Sequence, residues 1–138
     1  MHRALSILRS GTMVLAAAAP WVVQAQSAVP PMQAQGDVKY VCGGIGSRRS
    51  TAMQGAMRDH PLSLMFVNAR GEFLAAVAVT VKNDAGTNVL SIPSSGGPIC
   101  LIDLPDGRYT VEAEPLGKKR QTRTGTVGAG HRSIEFRF

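Results

Sequence analysis

The sequence predicts an all-β protein, an antiparallel β-sandwich of about seven short strands carrying one short helix near its N-terminus. Three observations lead there. Apolar residues alternate with polar ones along several short runs, such as Leu62, Leu64 and Phe66, then Val77, Val79 and Val81. Clusters of Gly, Pro, Asn, Asp and Ser separate those runs at regular spacing. Finally, Leu104-Pro105-Asp106-Gly107-Arg108-Tyr109-Thr110-Val111 reads as a tight turn that releases directly into a strand. Proline presets φ there, Asp and Gly take the turn positions, and Tyr109, Val111 and Ala113 share one face of the strand that follows.

Of the 138 residues, 1–25 read as a secretory signal peptide. Arg3 and Arg9 precede an apolar stretch from Met13 to Val23, and Val23-Gln24-Ala25 places small residues where signal peptidase cuts. About eleven apolar residues are too few for the roughly 30 Å of a bilayer core, which argues against a membrane anchor. Residues 26–36, with Pro30 and Pro31, read as a flexible lead-in. The folded domain is expected over 37–138. It begins with a strand from Asp37 to Cys42, which the glycine-rich Gly43-Gly44-Ile45-Gly46-Ser47 stops.

Thr51 to Gln54 has the spacing of a capping box, and Ala52, Met53, Ala56 and Met57 recur at helical offsets. A two-turn helix is therefore expected from Thr51, ending before His60-Pro61. Strands follow through Leu62–Phe66, Val77–Val81, Val89–Ile92, Ile99–Leu104 and Tyr109–Glu114. A polar strand is expected from about Lys119 to Val127, and its Gln121-Thr122-Arg123-Thr124 segment is charged and lacks an apolar face, which suits an edge strand. Ile134, Phe136 and Phe138 mark the last strand.

Loss of Arg3 and Arg9 with the leader leaves 13 of the 15 basic residues against 9 acidic ones, a net charge of +4. That favours anionic partners, and nucleic acid fits poorly with export. Cys42 and Cys100 both fall on faces expected to point inward. An oxidising compartment makes a disulfide the first reading, with two buried thiols as the other. Localisation is expected to be periplasmic or secreted, from a bacterium.

From about Leu64 to Phe138 the chain resembles the carboxypeptidase regulatory-like domain, a prealbumin-like, Ig-like sandwich. Gly71 to Val79, Asp84-Ala85-Gly86, Leu104 to Val111, Gly117 and Ile134-Glu135-Phe136 carry the likeness. It also resembles small exported single-domain proteobacterial proteins with a Tyr-Val-x-Gly-Gly-Ile-Gly segment, here Tyr40 to Gly46. The resemblance implies a sandwich that attaches or recognises rather than catalyses, and fold alone does not fix function.

Chemistry-bearing patterns are sparse. His60 and His131 lack nearby ligands in sequence and read as solvated loop histidines. No Gly-x-Ser-x-Gly elbow occurs, and the chain ends in Phe136-Arg137-Phe138 where transthyretin-like hydrolases end in Tyr-Arg-Gly-Ser. Arg48 and Arg49 beside the glycine-rich bend, and Lys118, Lys119, Arg120 and Arg123 in the densest basic cluster, are the candidate anion or partner contacts. No catalytic residue, cofactor or metal is expected. The function expected is an exported, non-enzymatic module that binds or scaffolds an envelope protein or anionic envelope polymer. The alternatives are a small outer-membrane β-barrel and a hydrolase on a transthyretin-like fold.

Overall fold

The computed structural model describes residues 11–12 and 29–138. The predicted signal peptide, Gly11 and Thr12 apart, and residues 26–28 of the lead-in lie outside the described residues. Among the described residues nine strands form two sheets, with one α-helix: β1 (Gln33–Gln35), β2 (Val38–Gly43), α1 (Ser47–Ala56), β3 (Leu62–Val67), β4 (Val77–Asn83) and β5 (Asn88–Ile92) come first. β6 (Ile99–Asp103), β7 (Gly107–Pro115), β8 (Gln121–Val127) and β9 (Arg132–Arg137) complete the chain. The first sheet runs β1-β2-β6-β3-β9 and the second β5-β4-β7-β8. Every pairing is antiparallel except β3 with β9, which is parallel.

The all-β sandwich class is therefore present, with nine strands where the sequence suggested about seven. Among the described residues the two sheets are open, with edges at β1, β9, β5 and β8. The alternative reading of a closed barrel is corrected on that ground. No described helix is long and apolar enough to cross a membrane.

Alternation fills the space between the sheets. Leu62, Leu64 and Phe66 from one sheet meet Val77, Val79, Val81 and Val111 from the other, all at most 1% exposed. The β7 turn behaves as its residues dictate. The Tyr109 ring is buried and its hydroxyl donates to the Pro105 carbonyl at 2.7 Å, tying the turn to the strand it feeds. Burial, and secondarily the negative charge of Asp106, push the Tyr109 hydroxyl above its ordinary value of 10.0. The unfolded chain then loses this proton first, so the contribution to stability is whole below pH 10.0 and falls as pH rises further. Urea unfolding between pH 9 and 11.5 should show a steeper decline in the wild type than in Tyr109→Phe. Parallel curves would contradict this assignment.

A second layer covers the outer face of the first sheet. Val41, Ile99 and Leu101 project there and are capped by Met53 of α1. α1 begins at Ser47, four residues before the expected start, and Thr51 lies inside it. Its boundary comes from Gly46 at φ 89°, a conformation that favours glycine, and no side chain caps it. A 3₁₀ turn, Met57–Asp59, then carries the chain to His60.

The lead-in also differs from expectation. Gln33–Gln35 pairs with β2, so regular structure starts before Asp37. The glycine-rich segment is a bend, and it has a packing role as well. A Cβ on Gly97 would sit 2.4 Å from the backbone of Gly43, so the loop ahead of β6 lies directly on the end of β2.

Candidate functional site

Two places on the molecule combine shape or chemistry. The first is a contact between His60 and Asp103. His60 precedes Pro61, which biases it to extended backbone, and it sits at φ −123°, ψ 145°. It therefore ends the 3₁₀ turn and opens toward β3. The Pro61 carbonyl accepts from Arg132 N at 2.9 Å, and Ser63 Oγ donates to the Met57 carbonyl at 2.9 Å, so both sides of His60 are anchored. Asp103 is the last residue of β6, directly beside β3.

The imidazole Nδ1 lies 2.6 Å from Asp103 Oδ1, with side-chain exposures of 18% and 39%. In the neutral ring, an Nδ1–H donated to the carboxylate leaves the lone pair on Nε2. Among the described residues Nε2 has no protein partner. Lys39 is the residue of β2 that opposes Asp103 in register. A carboxylate-oriented imidazole with a free second nitrogen can take a proton from water.

The second place is a groove of about 540 Å³ at the same end of β6, on its other side. Gln35 at the end of β1, Asp37 from the β1–β2 turn, Asn88 and Val89 from β5, and Pro105 and Tyr109 are among its walls. Gln35 spans its rim. Its amide donates to the Ser91 carbonyl at 2.7 Å and accepts from Ser91 N at 3.0 Å, so a side chain closes the free edge of β5. The groove is large enough for a small molecule. Neither His60 nor Asp103 lines it.

The basic residues singled out in the sequence occupy different elements. Arg48 and Arg49 are exposed in the first turn of α1, while Lys118 and Lys119 are exposed in the β7–β8 turn. Arg123 is exposed on β8. Arg120 is not a free cation: it lies 3.1 Å from Glu114 and 3.7 Å from Glu112. Cys42 and Cys100 are joined, with an S–S distance of 2.07 Å, across directly paired positions of β2 and β6. Among the described residues no three of His, Cys, Asp and Glu are grouped to hold a metal. The reading of His60 as a solvated loop histidine is corrected by its bond to Asp103 and its 18% side-chain exposure. The two residues are 43 apart in sequence, and only the adjacency of β3 and β6 reveals the pair.

No family model matches the chain, and no curated protein matches it. Similar solved structures include 5-hydroxyisourate hydrolase from Klebsiella pneumoniae, at 19% identity and a TM-score of 0.42. That match covers 57% of this chain and 89% of the hydrolase. Another is the TIE protein of Bacillus anthracis, at 20% identity and a TM-score of 0.43, covering 56% of this chain and 16% of that one. The expectation of a non-enzymatic envelope-binding module is corrected here. The finding set against it is that one of the similar structures is a hydrolase. At this identity the likeness itself assigns no activity to this chain.

Proposed function

We propose that the protein is a hydrolase of small polar substrates, exported to an oxidising compartment, with His60 as its base. The observation that carries the proposal is the 2.6 Å contact between His60 Nδ1 and Asp103 Oδ1. Asp103 orients the ring, and Nε2 removes a proton from water as the water oxygen bonds to a substrate carbonyl carbon. The same proton then passes to the leaving nitrogen or oxygen as its bond to that carbon breaks. In this reading Lys39, opposite Asp103 in register, favours negative charge developing on the carbonyl oxygen. The predicted leader and the Cys42–Cys100 bond support export.

Hydrolysis of a panel of small cyclic amides and esters, beginning with 5-hydroxyisourate, tests the reading. His60→Ala should lower kcat/KM by about 10²- to 10⁴-fold, and Asp103→Asn should lower it in the same direction. Both variants should keep the wild-type unfolding midpoint, since neither group lies in the core between the sheets.

A further inference from the structure

We propose that one end of the sandwich docks peripherally on an anionic lipid bilayer, with Ile45, Phe73 and Leu116 entering the headgroup region. This docking does not depend on the hydrolase reading, because it concerns where the chain is held and not its chemistry. Three large apolar side chains stand exposed among the described residues: Ile45 at 57%, Phe73 at 45% and Leu116 at 88%. Scattered singly, such residues need no explanation. Here all three fall at the same end of the molecule.

The register of the strands puts them there. Gly43, the last residue of β2, pairs with Ile99, the first of β6, so Ile45 lies just beyond the sheet. Ile99 also pairs with Met65 near the end of β3, and Phe73 bridges to Val67, the last residue of β3. Leu116 N donates to the Ala76 carbonyl at 3.2 Å, directly before β4 begins. Ser95 N donates to the Val77 carbonyl at 2.8 Å, which brings the loop ahead of β6 to that same end.

Charge follows the same axis. Arg48 and Arg49 come just after Ile45, Arg70 lies in the turn between Val67 and Phe73, and Lys118 and Lys119 come just after Leu116. All of these cations are exposed, and none is ion-paired among the described residues. The acids at this end are occupied: Arg120 pairs with Glu114, Arg137 pairs with Glu135, and Glu72 accepts from Asn68 Nδ2 at 3.4 Å. Every aspartate lies at the other end, Asp37, Asp84 and Asp106 in its turns and Asp59 and Asp103 about His60. Lys39, Arg58, Arg108 and Arg132 offset them there, so the positive excess of the chain gathers around the apolar tips.

Apolar tips ringed by basic residues complement an anionic bilayer, whose headgroups attract the cations while its acyl boundary accepts the side chains. Three tips on three separate loops suit a fluid surface that closes around each of them. A protein partner would have to offer three matched pockets. In this orientation His60 and Asp103 lie at the far end, clear of the bilayer.

Leader-cleaved, disulfide-intact protein should be mixed with vesicles of phosphatidylglycerol and phosphatidylethanolamine, and binding read by co-sedimentation. Binding is expected there, about tenfold or more tighter than to phosphatidylcholine vesicles, and it should weaken as salt rises. Lys118→Gln/Lys119→Gln and Leu116→Ser should each bind about tenfold more weakly while keeping the wild-type unfolding midpoint, since the replaced side chains are exposed. Insertion is read separately. Trp21 falls in the predicted leader, so the folded domain has no tryptophan of its own. The emission of Leu116→Trp should shift to the blue on the anionic vesicles and be quenched by lipids brominated on their acyl chains. Ala85→Trp, in the β4–β5 turn at the other end, should show neither effect. Absence of binding, equal binding to both kinds of vesicle, unchanged affinity in the variants, or quenching of Ala85→Trp would overturn the docking.

Discussion

Replacing Cys42 and Cys100 together with alanine should lower the free energy of unfolding by about 4 kcal/mol. The bond closes a loop whose ends are 58 residues apart, and restricting that loop in the unfolded chain accounts for a loss of this size in the chain-entropy model. Its position makes the loss felt locally as well. β2 joins the sheet through β6 alone, and β1 joins it through β2, so the bridge pins a two-strand edge. Cys100 is fully buried in the main core, and its removal also leaves space there. Domains of this size have about 5–15 kcal/mol in total, so the variant should be marginal. Urea unfolding measures the difference, and hydrogen exchange should show β1 and β2 opening first. A variant within about 1 kcal/mol of the wild type would contradict the account of how this edge is held.

Phe136→Ala should cost about 3–5 kcal/mol. The side chain is fully buried, and its ring centroid lies 5.9 Å from that of Phe66 and 6.1 Å from that of Phe138. β9 is an edge strand, held on one side by its parallel pairing with β3. Truncating Phe136 therefore removes core volume and the aromatic contacts that dock the C-terminal strand against β3. Denaturant midpoints and near-ultraviolet circular dichroism check this. A cost below about 1 kcal/mol would mean that β9 contributes little to the core.

These two sites also show what sequence conveys. The inward alternation of Ile134 and Phe136, the valines of β4 and the turn into Tyr109 are local patterns with a local cause, and each predicted its strand. The charged run in β8 likewise predicted a sheet edge, where β8 is found. β1 was not legible because Gln33-Ala34-Gln35 has neither β-branched residues nor an apolar face. Its structure comes from pairing with β2 and from the Gln35 bonds to Ser91. The start of α1 was hidden for a related reason: its first turn is polar, and a glycine conformation sets its boundary in place of a capping side chain. Parallel pairing of β3 with β9 leaves no local trace at all.

The candidate site depends on the same kind of information. The carboxylate beside His60 in the chain is Asp59, and nothing in the sequence singles out Asp103 within the expected Ile99–Leu104 strand. The pair exists because β3 and β6 are neighbours, with Leu62 opposite Ile102. The proline after His60 then holds the imidazole in place to meet the next residue of β6.

The central claim is that the His60–Asp103 pair performs hydrolysis. The most direct test compares wild type, His60→Ala and Asp103→Asn, each with its disulfide intact, on the panel of small cyclic amides and esters. The account predicts that at least one compound is cleaved faster than background by the wild type, with kcat/KM reduced about 10²- to 10⁴-fold in His60→Ala and the fold unchanged. Equal rates for wild type and His60→Ala on every compound would contradict it.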